Sequence, residues 1–211
     1  MKAPPPVFIL LCICIPALGA PNADLLKKAE AGDAVAQYNL GIRYANKDDR
    51  ESAKWIRKAA RQGLVEAQHH LGWMHENGRG AKADDQAAVK WYLKAAEQGF
   101  AKSQASLGWM YANGGGVEQD HKEAVKWYRK AAGQGNTKAQ VSLGNHYYNG
   151  EGVPRDLIHA YAWYSLAASS DQKHVGKHRD ALGRKLTPGQ ITQAAKVVAE
   201  IRKRIDATRK K

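Results

Sequence analysis

LGWMYANGGGVEQDHKEAVKWYRKAA occupies residues 107–132, and the chain contains two more versions of this stretch. Residues 71–96 read LGWMHENGRGAKADDQAAVKWYLKAA, and residues 143–168 read LGNHYYNGEGVPRDLIHAYAWYSLAA. The intervals from Leu71 to Leu107 and from Leu107 to Leu143 are both 36 residues. A fixed period of this length is typical of stacked supersecondary units. The repeat therefore predicts a solenoid, and it directs the search for function toward surfaces rather than toward a catalytic centre.

Each version predicts two helices joined by a glycine loop. In the residue 71–96 version, the first helix covers about residues 67–77, with its apolar residues at helical spacing. Gly78 follows, and glycine readily adopts the positive φ that ends many helices. The second helix, about residues 86–98, places Trp91 and Tyr92 on one stripe with small alanines. One such hairpin cannot bury its own apolar face, so it needs a neighbour on each side.

The remaining segments are predicted to extend and cap this array. A shorter version precedes the other three, because Leu40 lies only 31 residues before Leu71. Residues 20–33 predict an N-terminal capping helix, and residues 169–211 predict C-terminal capping helices. One of the latter covers 173–186, and another begins at Thr187, with Gln190 placed to complete a capping box. The predicted repeats cover residues 34–63, 64–99, 100–135 and 136–168.

The order Ala-x-x-x-Leu-Gly-x-x-Tyr, Gly-x-Gly-Val, Ala-x-x-Trp-Tyr-x-x-Ala-Ala resembles the Sel-1-like repeat, a relative of the tetratricopeptide repeat. The resemblance covers about residues 34–168 in four copies. It implies an all-α fold, a right-handed superhelical solenoid of antiparallel helix pairs that serves as a protein-interaction scaffold. Many bacterial members of the family are exported. The chain departs from the pattern in the glycine loop missing from the first copy and in His75, where tyrosine is usual.

The N-terminus carries the features of a targeting segment. Lys2 precedes an apolar run, residues 7–15, and residues 17–19 are suited to cleavage, which predicts a signal peptide over 1–19. The alternative is a membrane anchor, although the run is shorter than the roughly 20 residues that span a bilayer. Cys12 and Cys14 both lie in this segment, so the mature chain has no thiol for disulfides or metal binding. We therefore expect a periplasmic or secreted protein.

The resemblance also implies a binding groove on the concave face, which the first helices of the repeats line. The lining positions lie two residues before the repeat leucine and two, five and six residues after it. The candidate groove residues are Tyr38, Ile42, Asn46, His69, Trp73, Asn77, Trp109, Asn113, Asn145, Tyr148 and Asn149. In one interpretation, the aromatic side chains anchor an apolar or extended segment and the asparagine amides bond its backbone. In the other, the tryptophans pack between helices, and asparagine before glycine ends a helix.

Charge is concentrated near the C-terminus. The chain has 33 Lys and Arg against 20 Asp and Glu, and residues 171–211 contribute 12 of the former and 4 of the latter. The basic tail consists of Arg202, Lys203, Arg204, Arg209, Lys210 and Lys211. Such a cluster can contact an anionic lipid, an envelope polymer or an acidic partner. It can equally be the solvated face of a capping helix. The export signal and the lack of a recognised nucleic-acid module argue against nucleic acid.

Patterns for catalysis and metal binding are weak. His174 and His178 are spaced to share a helix face, but their surroundings are basic. Ser170 and Lys173 form a Ser-x-x-Lys pattern without the companion elements of penicillin-recognising enzymes. We therefore expect no enzyme activity, no metal and no cofactor. The sequence predicts a monomeric scaffold that binds another envelope or secreted protein, with a polyanion-binding protein acting through the basic tail as the alternative.

Overall fold

Successive helices joined by short loops build the whole of the described chain. The computed structural model describes residues 23–168 and 173–209, and all its regular elements in these residues are α-helices. The predicted signal peptide, both cysteines and Ser170 lie outside this part of the chain. The helices are α1 (Ala23–Glu30), α2 (Ala34–Tyr44), α3 (Asp49–Arg61), α4 (Val65–Asn77), α5 (Asp85–Glu97), α6 (Ala101–Asn113), α7 (His121–Ala132), α8 (Thr137–Asn149), α9 (Leu157–Ala168), α10 (Lys173–Gly183) and α11 (Pro188–Arg209).

The helices pack as a chain of neighbouring pairs. The tightest pairs are α2 with α3, α4 with α5, α6 with α7, and α8 with α9, and each second helix also packs on the first helix of the next pair. At the ends, α1 packs on α2, while α10 and α11 pack on α9. The predicted all-α superhelical solenoid of antiparallel helix pairs is confirmed. Within the described residues, no helix is both long and apolar enough to cross a bilayer.

Polar caps and left-handed residues set the helix ends. The Asp120 carboxylate accepts from the backbone N–H groups of Lys122 and Glu123 at 2.8 and 3.1 Å, and Asp48 caps α3 in the same way. Asp84 caps α5 by accepting from the Ala87 N–H alone. The glycines after α4, α6 and α8 have φ of 65°, 72° and 80°. In the shorter first repeat, Asn46 supplies the left-handed residue, with φ of 67°.

The repeat leucine and glycine form the contact inside each pair. Leu40, Leu71, Leu107 and Leu143 are all at most 1% exposed. The glycine that follows each leucine faces the second helix. A methyl group added at Gly108 would lie 2.5 Å from Cδ1 of Tyr128, which is too close for any real contact. Glycine is therefore required for the two helices to approach this closely.

A ladder of buried glutamines connects consecutive pairs. Gln37, Gln68, Gln104 and Gln140 are 4–6% exposed, and each donates its side-chain amide to the carbonyl eight residues earlier. Three of them also accept a hydrogen bond from a second glutamine: Gln62 donates to Gln37, Gln98 to Gln68, and Gln134 to Gln104, at 2.7–2.8 Å. Because a buried amide without partners is costly, these bonds fix how one pair stacks on the next.

The C-terminal helices cover the open end of the last repeat. The predicted capping box is confirmed, since the Gln190 N–H donates to Thr187 Oγ1 at 3.3 Å and the Thr187 N–H donates to Gln190 Oε1 at 2.9 Å. The helix predicted over 173–186 ends earlier, at Gly183, because the chain turns there and brings Leu186 onto α9. Ala194 and Ile205 of α11 are buried.

Candidate functional site

A groove crosses the first helices of the second, third and fourth repeats. It has a volume of about 630 Å³, and α4, α6 and α8 line it, with two tyrosines of the second helices behind them. This volume is within the range of ligand-binding clefts. Its lining residues are His69, Trp73, Glu76, Asn77, Tyr92, Lys102, Ala105, Ser106, Trp109, Tyr128, Asn136, Thr137, Lys138 and Ser142. Four of the eleven candidate groove residues are therefore brought together here.

Two tryptophans at equivalent repeat positions give this groove its apolar surface. Trp73 and Trp109 are 40% and 49% exposed, whereas Trp55 and Trp163 are 6% and 8% exposed. Trp73 and Trp109 are therefore not fully packed between helices, as one of the two interpretations required. One face of each indole lies open to the groove.

The asparagines at the last groove position bond within the chain. Asn77 donates to the Trp73 carbonyl at 2.9 Å, and Asn113 donates to the Trp109 carbonyl at 2.8 Å. Each is the last residue of its helix and precedes a left-handed glycine. The helix-ending interpretation accounts for these contacts. Asn149 instead donates to Glu151 Oε1 at 3.2 Å, and Asn46 Oδ1 accepts from Arg79 at 2.9 Å.

Two of the three fourth-repeat candidates, Asn145 and Tyr148, line a separate depression. The C-terminal cap reaches over this part of the concave face, because Leu182 and Leu186 pack in one cluster with Tyr148. The Lys185 ammonium donates to the Tyr148 hydroxyl at 3.2 Å. Asn145 Oδ1 accepts from the Tyr164 hydroxyl at 2.7 Å. The cap therefore ends the groove beyond Trp109, and these two candidates do not line the same surface as the two tryptophans.

Toward the N-terminus, an aromatic row continues from the groove to the first repeat. The His70 ring contacts Trp73 edge-on at 5.6 Å and Tyr38 at 6.0 Å between ring centroids. Tyr38, His69, His70 and Trp73 together line a shallow depression. Ile42 is 39% exposed. The offsets used for the sequence prediction did not include His70, which lies directly before Leu71.

His69 has a structural setting unlike that of the tryptophans. Its Nδ1 is 2.9 Å from the Ser103 hydroxyl of the next repeat, and its ring contacts Tyr92 and Phe100 at 5.4 and 5.3 Å. Burial, together with the nearby charges of Lys102 and His70, lowers the pKa of His69 to about 4. The imidazole is therefore neutral in the folded protein at neutral pH.

The low pKa of His69 predicts a specific loss of stability in acid. The unfolded chain protonates this imidazole near its usual pKa of 6.5, whereas the folded chain resists protonation down to about 4. Stability is thus fully present above about pH 6.5 and falls as the pH approaches 4, by up to about 3 kcal/mol.

His69→Gln retains a hydrogen-bonding group and does not titrate. Denaturant unfolding across this pH range should show a shallower decline for His69→Gln than for wild type. Equal slopes for His69→Gln and wild type would contradict the prediction.

The groove has one basic edge. Lys102 and Lys138 are exposed, occupy equivalent positions in the first turns of α6 and α8, and line the groove. The opposite edge carries Asn77 and Glu76, whose carboxylate accepts from the Tyr92 hydroxyl at 2.5 Å. The two lysines were missed in the sequence, although each lies five residues before a repeat leucine, a recurrence that could have revealed them.

The basic tail is part of the C-terminal cap. Arg202, Lys203 and Arg204 have exposed positions on α11, next to the buried Ile205. The side chain of Arg209 and residues Lys210 and Lys211 lie outside the described part of the chain, as does the side chain of His174. Since α11 packs on α9, its removal would uncover the last repeat. The tail's charge must therefore be tested by substitution rather than by deletion.

Comparison with known proteins identifies similar repeats and folds. A sequence model of the family described as Sel1 repeat matches residues 34–64, 65–100, 101–136 and 137–171. A protective antigen of uropathogenic Escherichia coli strains displaying an SLR fold is 37% identical, with a TM-score of 0.76 over 90% of this chain and 41% of that chain. A Sel1 repeat protein from Oxalobacter formigenes is 35% identical, with a TM-score of 0.69 over 74% of this chain and 64% of that one. An F-box protein of Arabidopsis thaliana is 39% identical over 56 residues, 25% of this chain and 16% of its own length. The chain spans less than two thirds of the length of each of these relatives.

Proposed function

The chain belongs to the Sel1 repeat family, whose members are generally protein-interaction scaffolds, and we propose that it is a non-catalytic scaffold binding a partner protein in the groove of α4, α6 and α8. The observation that carries this proposal is the exposure of Trp73 and Trp109 on adjacent helices. The partner would be another envelope or secreted protein that presents an extended segment. The scaffold itself would act as a monomer.

The exposed indole surface of Trp73 and Trp109 would supply much of the binding energy. Burying apolar surface contributes about 25 cal/mol per Å², and a large aromatic side chain offers well over 100 Å². Tryptophans in desolvated clefts are also prominent among the residues that dominate protein–protein binding energy. Trp73 and Trp109 occupy one groove and face the same space. A segment lying across α4 and α6 would cover both indoles at once.

The chemistry of the groove edges restricts which kinds of partner segment could bind. Lys102 and Lys138 make one edge basic, and two helix N-termini add to its positive potential. The indoles and Ala105 make the centre apolar. A segment with one or two large apolar side chains and a neighbouring carboxylate matches this arrangement. The Glu76 carboxylate on the opposite edge already accepts a hydrogen bond from the Tyr92 hydroxyl.

A peptide library tests this proposal with a defined probe. Short random peptides displayed on phage would be selected on the folded protein, and the enriched sequences would be synthesised and their affinity measured by fluorescence polarisation. We expect enriched peptides to combine large apolar residues with an acidic residue and to quench tryptophan fluorescence. Failure to enrich any sequence, or enrichment of purely basic peptides, would contradict the proposed groove chemistry.

Export is a separate part of the proposal and rests on the residues that precede the described chain. The sequence pattern over 1–19 supports cleavage after Gly19 and a periplasmic or secreted location. When the full chain is produced in a Gram-negative host, the intact mass of the protein in the periplasmic fraction should match a chain beginning at Ala20. A protein that retains Met1 and sediments with membranes would instead support the anchor interpretation.

The alternative function is binding of an anionic envelope polymer or lipid through the basic tail. The observation that favours it is the exposure of Arg202 and Lys203 on one turn of α11. The two functions differ in their salt dependence, because exposed charges are screened strongly near physiological ionic strength. Replacing both residues by glutamine should abolish binding to vesicles containing anionic lipid if the tail acts in this way. The same variant should leave binding of groove peptides unchanged.

A further inference from the structure

The three loop–helix contacts between successive repeats use equivalent positions but different residues. In the first contact, Arg79 of the loop donates through Nε to Asp49 Oδ2 at 2.7 Å. In the second, Gly115 occupies the loop position beside Asp85 and offers no side chain. In the third, the loop residue is Glu151, and the residue equivalent to Asp49 and Asp85 is His121, at the start of α7. In the last junction the carboxylate thus lies in the loop and the nitrogen-bearing side chain lies on the helix, which is the reverse of the first junction.

A second histidine reaches the same place from the core. His146 occupies the position at which the two preceding repeats have Met74 and Met110, and it is only 5% exposed. Its Nδ1 lies 2.9 Å from the Glu151 backbone carbonyl and 3.9 Å from the carboxylate oxygen Oε2. Its ring is 5.6 Å from that of His121. A polar ring has replaced an apolar side chain at the same junction where His121 and Glu151 depart from the repeat.

The His121 imidazole has an unused nitrogen. Its Nδ1 is buried and has no hydrogen-bond partner among the described residues. Buried polar atoms are nearly always paired, so an orphaned ring nitrogen beside a second histidine and a carboxylate requires an explanation. One ring nitrogen from each histidine and one carboxylate oxygen of Glu151 lie within 4.8 Å of one another. Three potential ligand atoms converge there.

We propose that His121, His146 and Glu151 form a site for a divalent transition-metal ion of the zinc type. Two imidazoles and one carboxylate are a ligand set that Zn²⁺ uses, and three protein ligands leave one coordination position for water. Ligand atoms at zinc-binding distances lie roughly 3.4 Å apart, so the site must contract on binding. Glu151 permits this contraction, because 44% of its side-chain surface is exposed.

The ligand set also determines which ions are excluded. Imidazole nitrogens favour zinc, copper and nickel, whereas magnesium and calcium require oxygen ligands. The bond from His146 Nδ1 to the Glu151 carbonyl would orient the ring, as outer contacts of metal-binding histidines usually do. The ion would join the start of α7 to α8 and its following loop. It would thus cross-link the third and fourth repeats. The sequence analysis, in contrast, led us to expect no metal.

Zinc titration of the untagged full chain tests the site. We expect one Zn²⁺ per chain by chelator competition, a tetrahedral visible spectrum with Co²⁺, and a higher unfolding temperature with Zn²⁺ than with Mg²⁺. His146→Met restores the residue that the two preceding repeats have at this position, so the fold should be retained. It should weaken zinc binding by at least about tenfold. Glu151→Gln leaves the core intact and should weaken binding by a similar factor.

His178→Ala is the matched control, because His178 belongs to the other histidine pair that the sequence suggested. This variant should bind Zn²⁺ as wild type does. The proposal is overturned if wild type does not bind one Zn²⁺ per chain, or if His146→Met and Glu151→Gln bind with wild-type affinity. It is also overturned if His178→Ala alone abolishes binding, since the ion would then be held by α10.

Discussion

Replacing Leu107 by alanine is expected to lower the free energy of unfolding by about 3–4 kcal/mol. Leu107 is 0% exposed and packs in one cluster with Tyr92, Met110 and alanines of α5. Its removal leaves a cavity between two repeats, and Gly108 already brings the neighbouring helix as close as the tyrosine ring allows. The side chains around the cavity therefore have little room to close it. Urea unfolding followed by far-UV circular dichroism measures the change.

Leu93→Ala provides the matched control for this prediction. Leu93 lies on α5 and is 36% exposed, so the same chemical change there removes little buried surface. We expect its free energy of unfolding to stay within about 0.5 kcal/mol of wild type. Because each repeat contacts only its neighbours, the Leu107 variant should lose the junction of α5, α6 and α7 first. Equal destabilisation by the two variants would contradict the assignment of Leu107 to the structural core.

The double variant Trp73→Ala, Trp109→Ala is expected to weaken binding of a library-selected groove peptide by about 100- to 1,000-fold. Each indole has the size and partial burial of a binding hot spot, and loss of a hot spot costs at least about 2 kcal/mol. The fold should remain intact, because both side chains are substantially exposed in the free protein. Fluorescence polarisation gives the affinity, and circular dichroism verifies the helix content.

Trp127→Ala is the control for this prediction. Trp127 lies on α7, a second helix of a repeat, where the Lys130 ammonium is 4.1 Å from its ring centroid, and it does not line the groove. Peptide affinity should be retained in this variant. If the double groove variant binds the peptide as wild type does, the groove is not the binding surface. If binding is lost instead when Arg202 and Lys203 become glutamine, the basic tail is responsible.

The period of the sequence predicted those parts of the fold that repeat. Each repeat Leu-Gly pair marks the contact inside a helix pair, and the glycine after Asn77, Asn113 and Asn149 marks a helix end, so helix number and order followed directly. The exposure of Trp73 and Trp109 was left open, because helical spacing defines a face without showing what covers it. Stacking of the repeats decides this, and it leaves both indoles in the groove.

The parts that could not be predicted lie where the period ends or where separate repeats meet. Tyr148 has a groove offset, yet the cap covers it, and nothing in the spacing places α10 on that face. His69 has the same offset as Tyr38, but its partner Ser103 comes from the next repeat. His121, His146 and Glu151 match no spacing motif. Their sign in the sequence is that each differs from the residues at the equivalent positions of the preceding repeats. This sign becomes informative only once the structure shows that the three residues are adjacent.

The buried glutamine ladder has a consequence for how such a chain can change in length during evolution. Gln68 and Gln104 have the same hydrogen-bonding partners one repeat apart, and α1 supplies Gln37 with the matching carbonyl at Ala29. Duplicating or deleting an internal 36-residue unit would therefore regenerate a satisfied junction at the new boundary. Copy number can vary by recombination without a compensating mutation in the core. The groove, which depends on two adjacent tryptophans, would lengthen or shorten by one binding position each time.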